Sequence, residues 1–424
     1  MSPRRRPSLG RALHHRNYRL FFGGQSLSLI GTWLTRIATS WLVYRLTGST
    51  ITLGVVGFAG QIPTFVIAPF AGVWVDRWNR HRVLVVTQAL AMLQSAALAA
   101  LWFSGRINVP SVVGLSVFQG VINAFDVPAR QSFVIQMVED REDLPNAIAL
   151  NSSMVNAARL LGPSIGGVLI AIVGEGWCFA IDALSYVAVI GSLLAMRIPR
   201  AARVSSGKRL LVELREGFRY AAGFVPIRNV LLLLALVSFM GMPYTVLMPV
   251  IATRILGGGA HTLGFLMAAS GLGALTGTLY LASRESVLGL GRVIVLASAA
   301  FGVGLIAFSR SHVFWLSFGV LVPTGLGMMV QMAASNTVVQ TVVDEDKRGR
   351  VMSFFAMAFF GTVPFGSLFA GVMAARFGAQ NTIAFGGATC ILGSLLFLRK
   401  LPELRRLARP VYVRLGILQD MADE

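Results

Sequence analysis

Charge is what this sequence has least of. Only 13% of its 424 residues are Asp, Glu, Lys or Arg, where a soluble domain carries roughly 25%. Acids are the scarcer sign, with 18 Asp and Glu against 37 Lys and Arg. Cysteine is nearly missing: Cys178 and Cys390 both adjoin long apolar runs, which excludes a disulfide framework and a Cys-rich metal site. The five histidines, at 14, 15, 81, 261 and 312, all fall outside the apolar runs, so neither a buried His relay nor a His-rich metal site is expected. No Gly-x-x-x-x-Gly-Lys-Ser/Thr occurs, which removes ATP as a driver. No Ser-His arrangement lies within an apolar run. Together these absences argue against an enzyme and imply no cofactor and no metal. The opening "MSPRRRPSLGRALHHRNYRL" has no apolar core followed by a small-residue cleavage site, so it is expected to be a retained cytoplasmic tail.

What is abundant is apolar length. Hydrophobic residues make up 55% of the chain and the mean hydropathy is +0.70. Apolar runs recur at 20–44, 51–73, 83–103, 109–137, 146–173, 177–196, 229–252, 263–283, 293–309, 313–340, 351–375 and 381–398. Each approaches or exceeds the roughly 20 residues that cross a bilayer as a helix. A transmembrane barrel would instead show alternating segments about ten residues long. The expected fold is an all-α membrane protein of twelve transmembrane helices.

The basic residues orient it. Arg45, Arg106, Arg254, Arg310 and Arg376 fall at one set of ends and Arg36, Arg130 and Arg159 within spans; the other Lys and Arg all fall in the tails and even-numbered loops. The positive-inside rule then places both termini in the cytoplasm. It also absorbs most of the net charge of +19, as a topology signal against an anionic inner leaflet in place of a nucleic-acid surface. The expected division is a basic tail over 1–19, a six-helix bundle over 20–197, a cytoplasmic linker over 198–228, a second bundle over 229–399 and a tail over 400–424. Within the linker "LLVELREGFRYAAGF" reads as an amphipathic surface helix.

The bundles repeat. A shift of 204 residues sets Gln136 on Gln340, Asp140 and Glu142 on Asp344 and Asp346, and Gly162, Gly167 and Gly174 on Gly366, Gly371 and Gly378. Duplicated six-span halves are a transporter architecture, with substrate held near the midplane.

Four stretches carry a resemblance. Gly72-Val-Trp-Val-Asp76-Arg77-Trp-Asn-Arg80-His81-Arg82 resembles the loop 2–3 signature of the major facilitator superfamily, with Asn79 where a Gly is usual. Arg159-Leu-Leu-Gly162-Pro163-Ser-Ile-Gly166-Gly167 resembles the Gly-Pro-x-x-Gly-Gly signature of its proton-coupled exporters. "NAFDVPARQSFV" and "LPNAIALNSS" are similar to the bacterial branch that holds macrolide efflux proteins and the enterobactin exporter. The resemblance implies the major facilitator fold, two pseudo-symmetric bundles, and export of a small amphipathic molecule against protons from a bacterial inner membrane. An importer or a lysophospholipid flippase of the same fold is the alternative, and a non-transporting receptor a distant one. A monomer is expected.

The candidate residues follow. Gly72, Asp76, Arg77, Arg80 and Arg82 are expected to form a latch that favours one conformation. Arg159, Gly162, Pro163, Gly166 and Gly167 form the export motif: Gly162 and Gly166 make a small face for close helix approach, and Pro163 bends the span. Charges inside spans are costly and usually functional, so Asp126, Arg130, Asp182 and Arg36 are the proton-coupling candidates. Asp126 and Arg130 are spaced i,i+4 and can pair, and Asp126 leads because burial and Arg130 pull its proton affinity in opposite directions. The family's mid-span-four Arg is Ser116 here, before Gln119-Gly120. In this superfamily spans 1, 4, 7 and 10 line the cavity, which implies Arg36, Gln119, Asn123, Met240, Tyr244, Gln331 and Asn336 as substrate contacts.

Overall fold

The computed structural model describes residues 10–138, 140–197, 219–284, 286–415 and 417. The described residues contain no strand. Twelve helical segments follow in order. They are α1 (Arg16–Thr47), α2 (Thr50–Arg77), α3 (Arg80–Phe103), α4 (Val109–Met137), α5 (Leu144–Val173) and α6 (Glu175–Leu194), then α7 (Val225–Ile255), α8 (Ala260–Ala282), α9 (Leu290–Arg310), α10 (Phe314–Val342), α11 (Arg348–Phe377) and α12 (Ala379–Arg414). Eleven, all but α1, are long and apolar enough by composition to cross a membrane. The exception carries Asn17, Gln25 and Arg36 along its length.

Local chemistry sets the ends. Asn108 begins α4, its Oδ1 accepting the Ser111 N–H at 2.9 Å, with Pro110 in the first turn where a missing N–H costs nothing. Asn79 does the same for α3, its Oδ1 accepting the Arg82 N–H at 3.2 Å. The departure from the usual glycine therefore serves as a helix cap. Gly174 and Gly378, equivalent in the internal repeat, end α5 and α11 at φ +87° and +83°, where a side chain would be strained.

The chain divides into two compact units. One holds Met1–Gly48, Ala59–Ser206 and Gly258–Ala268; the other holds Ser49–Phe58, Gly207–Gly257 and Ala269–Glu424. The sequence halves are thus exchanged at two short helix ends, and glycines make that exchange possible. In the first unit Gly167 of α5 faces Gly264 of α8 so closely that a Cβ on Gly167 would lie 2.8 Å from the Gly264 Cα. In the second, a Cβ on Gly371 of α11 would lie 3.0 Å from the Gly54 Cα of α2, and Thr50 Oγ1 donates to the Gly371 carbonyl at 2.9 Å. Gly167 and Gly371 are also repeat equivalents. Lipid tails compete with apolar side chains, so small residues and interhelical hydrogen bonds carry helix association in a bilayer.

Three features go beyond the expected division. α12 runs through Arg414, into the stretch 400–424 read as a tail. α7 is interrupted, with Val225–Met240 and Tyr244–Val250 flanking a turn, then a π-helical turn over Ile251–Ile255. Part of the N-terminal stretch is docked: Ala12 N–H donates to Asn146 Oδ1 at 3.0 Å, and Asp143 receives Arg11 at 3.2 Å and His15 at 3.0 Å. Tyr18, fully buried, donates its hydroxyl to the Ala147 carbonyl at 2.7 Å. Most of the amphipathic linker segment lies outside the described residues.

Candidate functional site

In the first unit the loop between α2 and α3 is pinned by rings. Trp74 and Trp78 stack on one another and each on Phe125 of α4, with centroids 6.0–6.4 Å apart. The His81 ring packs on Phe133, and its Nε2 lies 2.7 Å from the Leu193 carbonyl of α6. Asp76 is the penultimate residue of α2 and Gly72 lies one turn earlier; their side-chain surroundings lie outside the described residues. Arg77 and Arg82 are exposed.

The two intramembrane acids of this unit have opposite environments. Asp126 is 5% exposed, and its charge is answered on both oxygens. Thr87 and Gln88 of α3 donate to Oδ1 at 2.9 and 2.7 Å, and Arg130 lies 3.5 Å from Oδ2. Asp182 of α6 is 1% exposed. Thr35 of α1 and Ser95 of α3 both donate to its Oδ2 at 2.7 Å, and its Oδ1 has no hydrogen-bond partner among the described residues. No Lys or Arg pairs with it there. Gly31 explains the fit: a Cβ at that position would lie 2.6 Å from Asp182 Oδ1, so only glycine lets the α1 backbone pass the carboxyl.

Arg36 stands on α1 with its guanidinium carbon 4.9 Å from the Trp33 ring centroid, and Arg159 of α5 brings its own to 5.9 Å from the same ring. The export motif is the surface against which they sit. Gly162 leaves room for Trp33, and a Cβ on Gly166 would lie 2.6 Å from Ile37. These two glycines therefore receive α1, while Gly167 receives α8. Pro163 is buried within an uninterrupted α5, and its carbonyl abuts Gly264. On α4, Gln119 Nε2 donates to Asn123 Oδ1 at 3.1 Å, and Gln119 Oε1 is buried with no hydrogen-bond partner among the described residues.

In the second unit two expected substrate contacts are internal. Tyr244 is 3% exposed, bonded to Ser270 at 2.6 Å and edge-on to Phe301; Gln331 is 1% exposed and reaches Ser335 at 3.4 Å. Tyr244 thus lies against α8 and α9, and Gln331 is held by a residue one turn on in its own helix. Met240 is partly accessible. Asn336 opens onto a cavity of about 540 Å³ whose wall also carries Gln340, Asp344, Arg348, Val411 and Arg414. Gln340 Nε2 donates to Asn336 Oδ1 at 2.6 Å. In the α10–α11 loop, hydrogen bonds from the Tyr220 hydroxyl at 3.0 Å and from Lys347 at 3.3 Å hold the Asp344 carboxyl below its ordinary range.

At the other ends of α1 and α6, Glu175 is 2% exposed and receives Arg45 at 2.9 Å and the Trp102 indole N–H at 3.1 Å. Removing one partner of such a pair strands the other charge, whereas removing both does not. Arg45→Ala is expected to cost about 1–3 kcal/mol, the lower end because Arg45 is itself half exposed. The double variant with Glu175→Gln should recover part of the loss, read as thermal unfolding in detergent. Equal melting of the single and double variants would rule out the stranded-charge account.

The sequence profile of the transmembrane secretion effectors matches residues 11–410. The chain belongs to this family of the major facilitator superfamily. As a transmembrane secretion effector it is a multi-pass membrane transporter of the efflux type, not an enzyme. It is 24% identical to the staphyloferrin A transporter of Staphylococcus aureus, over 89% of this chain and 94% of that one. Identity is 27% with the multidrug efflux pump Tap of Mycolicibacterium fortuitum, covering 90% and 95%, and 22% with macrolide efflux protein A of Streptococcus pyogenes, covering 93% and 98%. Among solved structures, an inward-facing bacterial homologue of the iron transporter ferroportin superposes with a TM-score of 0.70 at 16% identity, over 91% of this chain and 98% of that one. A bacterial homologue of Spinster gives 0.68 at 16%, over 97% and 98%. These two likenesses establish the major facilitator fold.

Three features of this transmembrane secretion effector went unread in the sequence. Glu175 had a signal, being the sole acid in the expected outer loops, beside an unexplained outer Arg45. Thr35 and Ser95 had none, because hydroxyls in apolar helices are common. Trp33 stands three residues before Arg36, a helical spacing that puts both on one face.

Proposed function

We propose that this transporter exports a small amphipathic molecule, drug- or siderophore-like, in exchange for protons by alternating access, from a bacterial inner membrane with both termini in the cytoplasm. The relatives named for staphyloferrin A, macrolides and multiple drugs support the cargo class and the direction. The observation that carries the coupling is Asp182. It is a fully buried carboxyl that leans on two hydroxyls and, among the described residues, on no cation. Exchanging a proton there breaks no salt bridge among those residues. Asp126, first on sequence grounds, has both oxygens committed to Thr87, Gln88 and Arg130, so its role is to hold α3 and α4 together beside the loop. Arg36, Gln119, Asn123, Met240 and Asn336 are the proposed substrate-facing residues. The protein works as a monomer, its basic loops resting on anionic lipid.

Everted vesicles containing the protein should accumulate a fluorescent amphiphile when energised, and a protonophore should abolish the uptake. Uptake that survives the protonophore would exclude proton-driven export. The loop between α2 and α3 is a latch in this reading, with Asp76 its acid. Asp76→Asn should lower transport at normal expression, and unchanged transport would leave that loop as a topology signal only.

A further inference from the structure

One helix touches both the proton site and the proposed cargo face. On α1, Thr35 donates to Asp182 Oδ2 at 2.7 Å, and the next residue, Arg36, is exposed. Successive residues of a helix point about 100° apart. Trp33 belongs to the second face, with the Arg36 guanidinium carbon 4.9 Å from its ring centroid. α1 is slim at this level. Gly31 passes Asp182 so closely that a Cβ would lie 2.6 Å from Oδ1 and 2.7 Å from Ser185 Oγ. On the α5 side, Gly162 makes room for Trp33 and Gly166 for Ile37. Close packing of this kind sets distance. A hydrogen bond also sets register, because it weakens steeply when misaligned.

Hydrogen bonds to an ionised carboxylate are roughly twice as strong as those between neutral groups. Protonation of Asp182 therefore loosens both hydroxyls on Oδ2. Ser95 of α3 is the other, also at 2.7 Å. Of the two, Thr35 is the one on the helix that carries Trp33 and Arg36. The titratable neighbours of Asp182 are Cys178 and Tyr186, each one turn away on α6; Glu175 stands beyond the first, and Asp126 with Arg130 beyond the second. α1 and α3 turn Gly31, Thr35 and Ser95 toward it. We infer that Thr35 is the positioning residue through which Asp182 governs α1: the ionised carboxyl holds the helix in register, and protonation lets it shift, moving Trp33 and Arg36. This inference rests on the export reading above and names its link from proton to cargo.

The test needs no cargo. Tryptophan emission of the purified full chain in detergent is followed from about pH 4 to about pH 9, the span over which buried carboxyls titrate. The share of Trp33 is the difference from Trp33→Phe. The wild type should show one step, and Asp182→Asn should abolish it. Thr35→Val should abolish it too and lock Trp33 at its low-pH level, because the tie is then absent at every pH. Thr35→Ser, which restores a hydroxyl, should bring the step back. Ser95→Ala should keep the step with its midpoint about one to two pH units higher, since losing a donor to the ionised form favours the proton. Cys178→Ser and Tyr186→Phe should each keep a step. If Thr35→Val fails to fold, Ser95→Ala against Asp182→Asn decides. No step in the wild type, a step that survives in Asp182→Asn or in folded Thr35→Val, or a step lost in Ser95→Ala, Cys178→Ser or Tyr186→Phe would overturn the inference. Protonophore-insensitive uptake in everted vesicles with the step intact would sink the export reading alone. Protonophore-sensitive uptake with no step would sink the Thr35 link alone.

Discussion

Asp182→Asn is expected to bring proton-driven flux down to the level of empty vesicles while the protein stays folded. The substitution keeps the shape of the carboxyl. An amide oxygen at the Oδ2 position still accepts Thr35 and Ser95, whose hydroxyls lie 2.7 Å away. The amide nitrogen takes the place of Oδ1, beside the α1 backbone at Gly31, where Oδ1 has no hydrogen-bond partner among the described residues. One unsatisfied buried donor costs about 1–3 kcal/mol, which lowers the melting temperature without unfolding the chain. The change removes only the exchangeable proton. Flux driven by an imposed pH gradient in proteoliposomes should vanish, and substrate exchange with no gradient should persist. Asp126→Asn makes the comparison sharp. It breaks the contact with Arg130 and leaves that cation without its acid, so its effect should fall first on stability. Retained gradient-driven flux in Asp182→Asn would remove Asp182 from the coupling path. Loss of flux in Asp126→Asn at wild-type stability would restore Asp126 to it.

The two acids also show how far the sequence was legible. Both stand out as charges in apolar runs, and the i,i+4 spacing of Asp126 and Arg130 announced their pairing. What separates them is the company each keeps. Thr87 and Gln88 are 39 and 38 residues from Asp126, and Ser95 is 87 from Asp182. Contacts at that separation depend on how each helix is rotated, which apolar length does not encode. The same limit hid the burial of Tyr244 and Gln331. Spans themselves were legible wherever an apolar run ends in a turn signal: α4 covers 109–137 as expected, between Asn108 and the acidic stretch after Val138. α12 outran its expectation for a visible reason. From Leu398 to Arg414 apolar residues recur at helical spacing, with Leu401, Leu404 and Ala408 buried, but the intervening Arg and Lys end the unbroken apolar run. The repeat was the most informative pattern, since its glycines return as equivalent helix ends at Gly174 and Gly378.

Those glycines give the largest expected effect on folding. A Cβ on Gly167 would lie 2.6 Å from the Ala260 carbonyl oxygen and 2.8 Å from the Gly264 Cα, and both obstacles are backbone. A flexible side chain could yield; a helix must move as a whole. Gly167→Ala is therefore expected to cost about 1–3 kcal/mol by overpacking, although alanine favours a helix over glycine by about 1 kcal/mol. Gly167→Leu should prevent α5 and α8 from meeting and should strongly lower both the yield of folded protein and its melting temperature. Gly371→Ala should behave alike, because its Cβ would lie 2.6 Å from the Thr50 carbonyl oxygen and displace the hydrogen bond that Thr50 makes across the same crossing. Gly191 of α6 is the control, with nothing within 4 Å of where its Cβ would go. Gly191→Leu should melt at or above the wild type, since a good helix former replaces a poor one. The decisive measurement is the difference in melting between Gly167→Leu and Gly191→Leu in detergent. Equal melting would mean that α5 and α8 can part at little cost, and the glycine crossing would then hold nothing together.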